Sequence, residues 1–166
     1  RYPLKELILH PRVRTDYYKN TPNMPAFRGG FDGSRAPVCY NGDIFTIFDY
    51  ETLCGDYPEL DRVMLGRGII SNPGLLDRIA AGTNSDGSGT DKETLKRFHQ
   101  MIYEGYRQIM SGDRNVLFKM KELWACMIQI FSDNGKYIKR IKKSQRLEEY
   151  ETAAAAVFRD LDILRS

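Results

Sequence analysis

Three short apolar runs punctuate the first half of the chain, and their spacing limits what it can fold into more than any other feature. "ELILH" (6–10), "PVCYN" (37–41) and "RVMLG" (62–66) each end in a polar residue or glycine, and roughly 25 residues of mixed, partly helical sequence separate them. That rhythm predicts successive β/α units around a parallel sheet, with strands buried on both faces. In such architectures the loops leaving the C-terminal ends of strands carry the chemistry, which gives His10, Asn41 and Gly66-Arg67 equivalent places. Three strands alone close no barrel. An open sheet with apolar edges is expected instead, and with it a homodimer or a strand-swapped assembly.

The segment "VMLGRGIISNPGLL" (63–76) predicts strand, glycine turn and short helix, with Asn72 as N-cap and Pro73 at the first helical position. Glycines 66 and 68 would let a ligand approach the backbone, a helix N-terminus favours an anion, and Arg67 reads as a phosphate fork. "YNGD" (40–43) sets Asn41, Gly42 and Asp43 at the end of the second strand, although Asn-Gly is also the commonest tight-turn dipeptide. Together with Gly-Arg-Gly it fits the phosphate site that barrels build after their last two strands. His10 ends the first strand in "LILHPRVRT", where a lone histidine serves either as a structural hydrogen-bonder or as a ligand contact. Arg12 and Arg14 follow at alternate spacing, so an extended loop would turn both to one side, towards a phosphate, a carboxylate or solvent.

The second half changes character. Residues 82–90, "GTNSDGSGT", read as a linker, with Gly82 capping the preceding helix. Beyond it, Thr90 and Glu93 match a capping box, and Leu95, Phe98, Ile102, Tyr106 and Ile109 line one helical face up to Gly112. A second stripe joins Met120, Trp124, Met127, Ile128 and Phe131, and a third helix over about 145–165 aligns Tyr150, Ala154, Val157, Leu161 and Leu164. Between them, "NGKYIKRIKKSQR" (134–146) holds six basic residues and no acidic one. Helical spacing puts Lys136, Lys139, Arg140 and Lys143 on one face, with Ile138 and Ile141 turned partly inward. That face is either solvated or a phosphate-binding stripe for RNA.

Composition narrows the setting. A net charge of +3 over 166 residues permits a polyanionic partner without demanding one. The three cysteines, Cys39, Cys54 and Cys126, are odd in number and widely spaced, which predicts buried thiols in a reducing cytoplasm and no disulfide framework. No apolar run approaches the ~20 residues of a membrane span, so a soluble protein without a membrane partner is expected. No metal-binding cluster is read from the sequence. A chain that opens on Arg1-Tyr2-Pro3 and enters a strand within a few residues is expected to be a piece of something longer. The expected fold is α/β followed by all-α, with sheet units over 1–81, a linker over 82–90 and a helical bundle over 91–166.

These motifs together resemble the C-terminal half of the tRNA-dihydrouridine synthase family, and the resemblance runs over nearly the whole chain. "LILHPRVRT" is similar to the family's strand-six region, "PVCYNGDI" to its strand-seven Asn-Gly-Asp motif, and "RVMLGRGIISNPGLL" to its strand-eight Gly-Arg-Gly with Asn-Pro. "FKMKELWACM" stands where the family's small helical domain carries a lysine-rich, tryptophan-containing helix. The resemblance implies the last three units of a partial (β/α)8 TIM barrel followed by a helical domain that contacts tRNA. It implies a flavoprotein that passes hydride from NADPH to FMN and then to a uracil ring flipped out of tRNA, with a cysteine supplying the proton. It further implies that His10 lies near the isoalloxazine or ribityl chain, and that Asn41, Gly42, Asp43, Gly66 and Arg67 hold the FMN phosphate. Arg12, Arg14, Lys136, Lys139, Arg140 and Lys143 are the expected RNA contacts.

One departure matters. The family's acid cysteine, in a Cys-Pro context, and its flavin-contacting lysine belong to earlier strands, and neither motif occurs here. No catalytic residue is therefore assigned, and these residues alone are expected not to reduce uridine. Two further readings stay open: a non-catalytic RNA-binding module, and another FMN-dependent barrel oxidoreductase acting on a small substrate, against which the basic helical region argues.

Overall fold

In the computed structural model, which describes residues 3–16, 20–82 and 90–164, the first half of the chain forms a small parallel sheet among helices. Strands β1 (Leu7–Leu9) and β2 (Val38–Tyr40) pair in parallel, with Leu7 opposite Val38, Ile8 opposite Cys39 and Leu9 opposite Tyr40. Helix α1 (Met24–Gly33) forms the crossover; Asn23 caps it by accepting from the Ala26 N–H at 3.0 Å, and Pro25 sits in its first turn. Helix α2 (Ile47–Asp56) opens on a reciprocal capping box between Thr46 and Asp49. The core here is aromatic. Phe27 lies edge-on to Tyr40 and Tyr57 at 4.9 and 5.0 Å between ring centroids, and all three side chains are buried.

The third apolar run is less of a strand than its sequence suggests. Only Val63 bridges to Tyr40, with the Tyr40 N–H donating to the Arg62 carbonyl at 3.0 Å and the Met64 N–H to the Tyr40 carbonyl at 2.8 Å. Its residues alternate between exposed and half-buried, not buried on both faces. The ladder stops because helix α3 (Arg67–Ser71) begins at once and draws the chain into the helical half: Ile70 packs on the helical core and the Ser71 hydroxyl donates to the Cys126 carbonyl at 3.1 Å. The expected glycine turn is thus the start of a helix. Neither Gly66 nor Gly68 adopts a positive φ.

Asn72 does not cap a helix. Helix α4 (Leu75–Ala81) starts after Gly74, while the Asn72 side-chain oxygen accepts from the Gly74 N–H at 3.1 Å and from the Thr90 hydroxyl. Thr90 also receives the Gly74 N–H at 2.7 Å, and both side chains are buried. That engagement removes Thr90 from the expected capping box, and Asp91 caps α5 (Lys92–Ile109) instead, accepting from the Thr94 N–H at 2.7 Å. Gly82 ends α4 at φ 71°, the left-handed conformation for which a glycine is suited. Of the linker expected at 82–90, residues 83–89 lie outside the described residues. By compactness the chain divides into Arg1–Arg67 and Gly68–Ser166, a boundary at the Gly-Arg-Gly motif.

Helices α5, α6 (Asp113–Met127), α7 (Gly135–Lys143) and α8 (Leu147–Asp160) surround the larger core. The stripe Met120, Trp124, Met127, Ile128 and Phe131 is buried throughout, as are Tyr150, Ala154, Val157 and Leu161. Two stripe residues fall outside it. Ile109 is 77% exposed, because the buried line of α5 runs through Leu95, His99 and Tyr103 at i, i+4 spacing. Leu164 is exposed because α8 has ended and the chain is extended, its N–H donating to the Ile130 carbonyl at 2.7 Å. Of the cysteines only Cys39 is buried, and burial pushes its thiol up; Cys54 and Cys126 are half-buried. Among the described residues, no helix is long and apolar enough to cross a membrane.

A polar knot sits inside this core. The Trp124 indole N–H reaches the Tyr150 hydroxyl at 2.9 Å, and that hydroxyl meets the His99 Nε2 at 2.5 Å. The same indole N–H also points to the His99 Nε2 at 3.2 Å, and since it can only donate, that imidazole nitrogen accepts, which requires neutral His99. Burial drives the same way, lowering the His99 pKa from 6.5 to about 4. Below pH 6.5 the unfolded chain binds a proton that the folded chain refuses. The stability from this site should be complete above about pH 6.5 and fall by up to about 3 kcal/mol as pH drops to 4. Urea unfolding across that range, with the His99 ring followed by NMR, checks it; a ring that titrates near 6.5 would contradict the assignment.

Candidate functional site

The pairing register of the strands carries on past their ends. Each β1 residue faces the residue 31 positions later in β2, and the same offset joins His10 to Asn41 and Arg12 to Asp43. His10 Nδ1 donates to the Asn41 carbonyl, since a carbonyl can only accept. The Arg12 guanidinium meets one oxygen of Asp43, and the Arg67 Nη2 meets the other at 2.5 Å. Two arginines thus share one carboxylate at the C-terminal ends of the strands.

Their exposures differ in a way that separates their roles. The Arg12 side chain is 3% exposed, Asp43 30% and Arg67 33%. Arg12 is the buried counterion, while Arg67, the first residue of α3, presents its guanidinium to solvent with the Phe45 ring 5.5 Å from its central carbon. Among the described residues, two guanidinium groups thus meet one carboxylate. The charge also marks its neighbour: burial, and secondarily the Asp43 carboxylate, hold the Tyr40 hydroxyl above its ordinary pKa.

The glycines serve different ends. A side chain at Gly42 would put its Cβ 2.0 Å from the Tyr40 hydroxyl, whereas one at Gly66 would meet nothing within 4 Å. Gly42 is therefore required by packing, and Gly66 leaves an open approach beside Arg67. Arg14 stands apart from the cluster, exposed on a 3-10 turn over Arg14–Asp16, so the expected pairing of Arg12 and Arg14 on one side of a loop is not seen. The sequence reading missed Arg12 as the partner of Asp43, and Tyr40 and Phe45 as walls. The constant 31-residue offset is the signal that finds the first, since it sets an arginine beside an aspartate once the two runs are aligned.

The basic segment forms a second feature. Helix α7 buries Ile141, half-buries Ile138 and exposes Lys136, Lys139, Arg140 and Lys143. These four line one side of a groove of about 670 Å³; Ser144 and the Glu148, Glu149 and Thr152 side of α8 complete it. Glu149 accepts the Gln145 N–H at 2.7 Å, which ties it to the turn between the helices. Charge and helix ends agree: the cations cluster in the last turn of α7 and the acids in the first turn of α8.

Fold and site define an α/β chain with a cationic cluster at its strand ends, continued by a helical region with a basic groove. The family described as dihydrouridine synthase (Dus) matches residues 4–163, and the chain belongs to that family. It is similar to the tRNA-dihydrouridine(16) synthase of Aquipseudomonas alcaligenes, 32% identical over 46% of this chain and 24% of that protein. The enzyme of the same name from Pseudomonas putida is 28% identical over 74% of this chain and 37% of its own length. That from Neisseria meningitidis serogroup B is 23% identical over 94% and 47%. The chain spans less than half the length of these curated relatives.

Because Tyr40 is locked by Phe27 and β2, it cannot swing away from a methyl group at position 42. Gly42→Ala should destabilise the protein by about 2 kcal/mol, the scale of overpacking a filled core, read as a lower urea midpoint. The same substitution at Gly66 should leave the unfolding free energy within about 0.5 kcal/mol of the natural protein's.

Proposed function

We propose that this chain is the C-terminal part of a tRNA-dihydrouridine synthase, supplying the last strand units of a TIM barrel, their FMN-phosphate cradle and a tRNA-contacting helical domain. The observation that carries the reading is the Arg12–Asp43–Arg67 cluster at the strand ends, in a chain whose family match covers residues 4–163. Its donor set suits a phosphomonoester: a one-third exposed guanidinium, two arginines against one carboxylate among the described residues, and an open approach at Gly66. Arg67 would hold the phosphate, with Asn41, Gly42 and Gly66 lining its approach and His10 standing nearer the ring system. When bound, FMN supplies the hydride that saturates the C5–C6 bond of a uridine, with NADPH as the source of reducing equivalents.

This chain's own residues bind and orient. His10, donating from Nδ1 to the Asn41 carbonyl, is held in one ring orientation. Phe45 and Asp43 fix the Arg67 guanidinium from two sides. The α7 row of Lys136, Lys139, Arg140 and Lys143 offers point charges at helical spacing to a tRNA backbone, contributing affinity and salt dependence, not base specificity.

Flavin fluorescence tests the cradle in the complete protein. Arg67→Ala should weaken FMN binding by about 1.5–3 kcal/mol, the scale of a hydrogen bond to a charged group. Equal affinities would remove Arg67 from the site. For the groove, alanine at Lys139, Arg140 and Lys143 together should reduce the slope of log binding constant against log salt for tRNA by about 2–3. An unchanged slope would return that face to solvent.

A further inference from the structure

The geometry points to Asp43 as the residue that positions Arg67 for a phosphate, and not as a ligand of that phosphate; this rests on reading the strand ends as a cofactor-phosphate site. A carboxylate beside a phosphomonoester dianion is repelled by it, so direct contact would oppose binding. Asp43 instead spends both oxygens on guanidinium groups, one on Arg12 and one on Arg67 at 2.5 Å. The two arginines are not equivalent. Arg12 is almost wholly enclosed and holds the carboxylate in place from within, while Arg67 is the exposed member. The Arg67 guanidinium is a planar fork that meets Asp43 through Nη2, a geometry matched to the oxygens of a carboxylate or phosphate. With Asp43 on one side and the Phe45 ring 5.5 Å away, the fork is held before a ligand arrives.

Two effects of Asp43 therefore oppose each other, and their signs differ. As a charge it weakens an anion; as an anchor it prepares the cation that binds the anion. Replacing it by asparagine separates them, because the site becomes more positive while the ion-pair anchor is lost. FMN and riboflavin share the ring system and differ by the phosphate, so the ratio of their affinities reads the phosphate contact alone.

The experiment compares the two affinities in the complete protein by flavin fluorescence. Asp43→Asn should lower the preference for FMN over riboflavin about tenfold while riboflavin affinity stays constant. An unchanged or increased preference would overturn the positioning role and leave Asp43 as a charge only. Should that variant fold poorly, the pair Arg12→Gln with Asp43→Asn keeps the net charge of the cluster and exchanges the buried ion pair for two amides. It should show the same loss, and a natural preference in the pair would again overturn the inference. If the natural protein itself does not prefer FMN to riboflavin, the phosphate-site reading falls, and the inference with it.

Discussion

Parallel pairing at a fixed offset is the constraint on which the strand-end chemistry depends. Because Leu7 faces Val38 and Leu9 faces Tyr40, the residues just beyond each strand are also delivered in pairs. A slip of one residue would turn every side chain of β2 to the opposite face, sending Tyr40 out of its aromatic nest and parting Arg12 from Asp43. The register is held by burial, since all three β2 residues are enclosed, and by the N–H groups of Leu7 and Asn41, which donate to the carbonyls of Pro37 and Leu9 at 2.9 Å each. A three-residue ladder would be weak alone. Phe27, Tyr40 and Tyr57, packed edge to face, lock it.

The charged cluster then acquires its character from unequal burial. An enclosed ion pair contributes little net stability, because desolvation offsets much of the attraction, but it is costly to break once formed. Arg12 and Asp43 thus make a stiff platform more than a source of stability. Arg67 meets that platform from a different segment, at the first residue of a helix, and stays one-third exposed. Stiffness below and exposure above suit recognition of a small anion, for which a preset guanidinium forfeits less entropy than a mobile one.

Much of this was legible in the chain itself, and the failures have common causes. The helical stripes could be read because α6 and α8 each bury one continuous face, and the positions of Trp124, Tyr150 and Val157 follow from 3.6-residue periodicity. That His10, Asn41, Asp43 and Arg67 lie at the strand ends could be read because strand ends and glycine motifs announce themselves locally. What escaped depends on partners far away in sequence. Asn72 and Thr90 both look like caps, yet each satisfies the other across 18 positions. "RVMLG" looks like a buried strand, yet among the described residues it pairs with β2 alone and is then taken up by α3. The acidic wall facing α7 escaped for another reason: it lies close in sequence, but only the packing of α8 beside α7 turns Glu148 and Glu149 towards the same groove.

The Asn72–Gly74–Thr90 knot has a wider bearing. It joins the residues just before α4 to those just before α5 through buried hydrogen bonds, independently of the chain between Gly82 and Thr90. The segment from Gly74 to Thr90 is thereby closed at its ends, and the entropy of such a closure changes only slowly with the length enclosed. The connection works like a clasp on a strap of adjustable length.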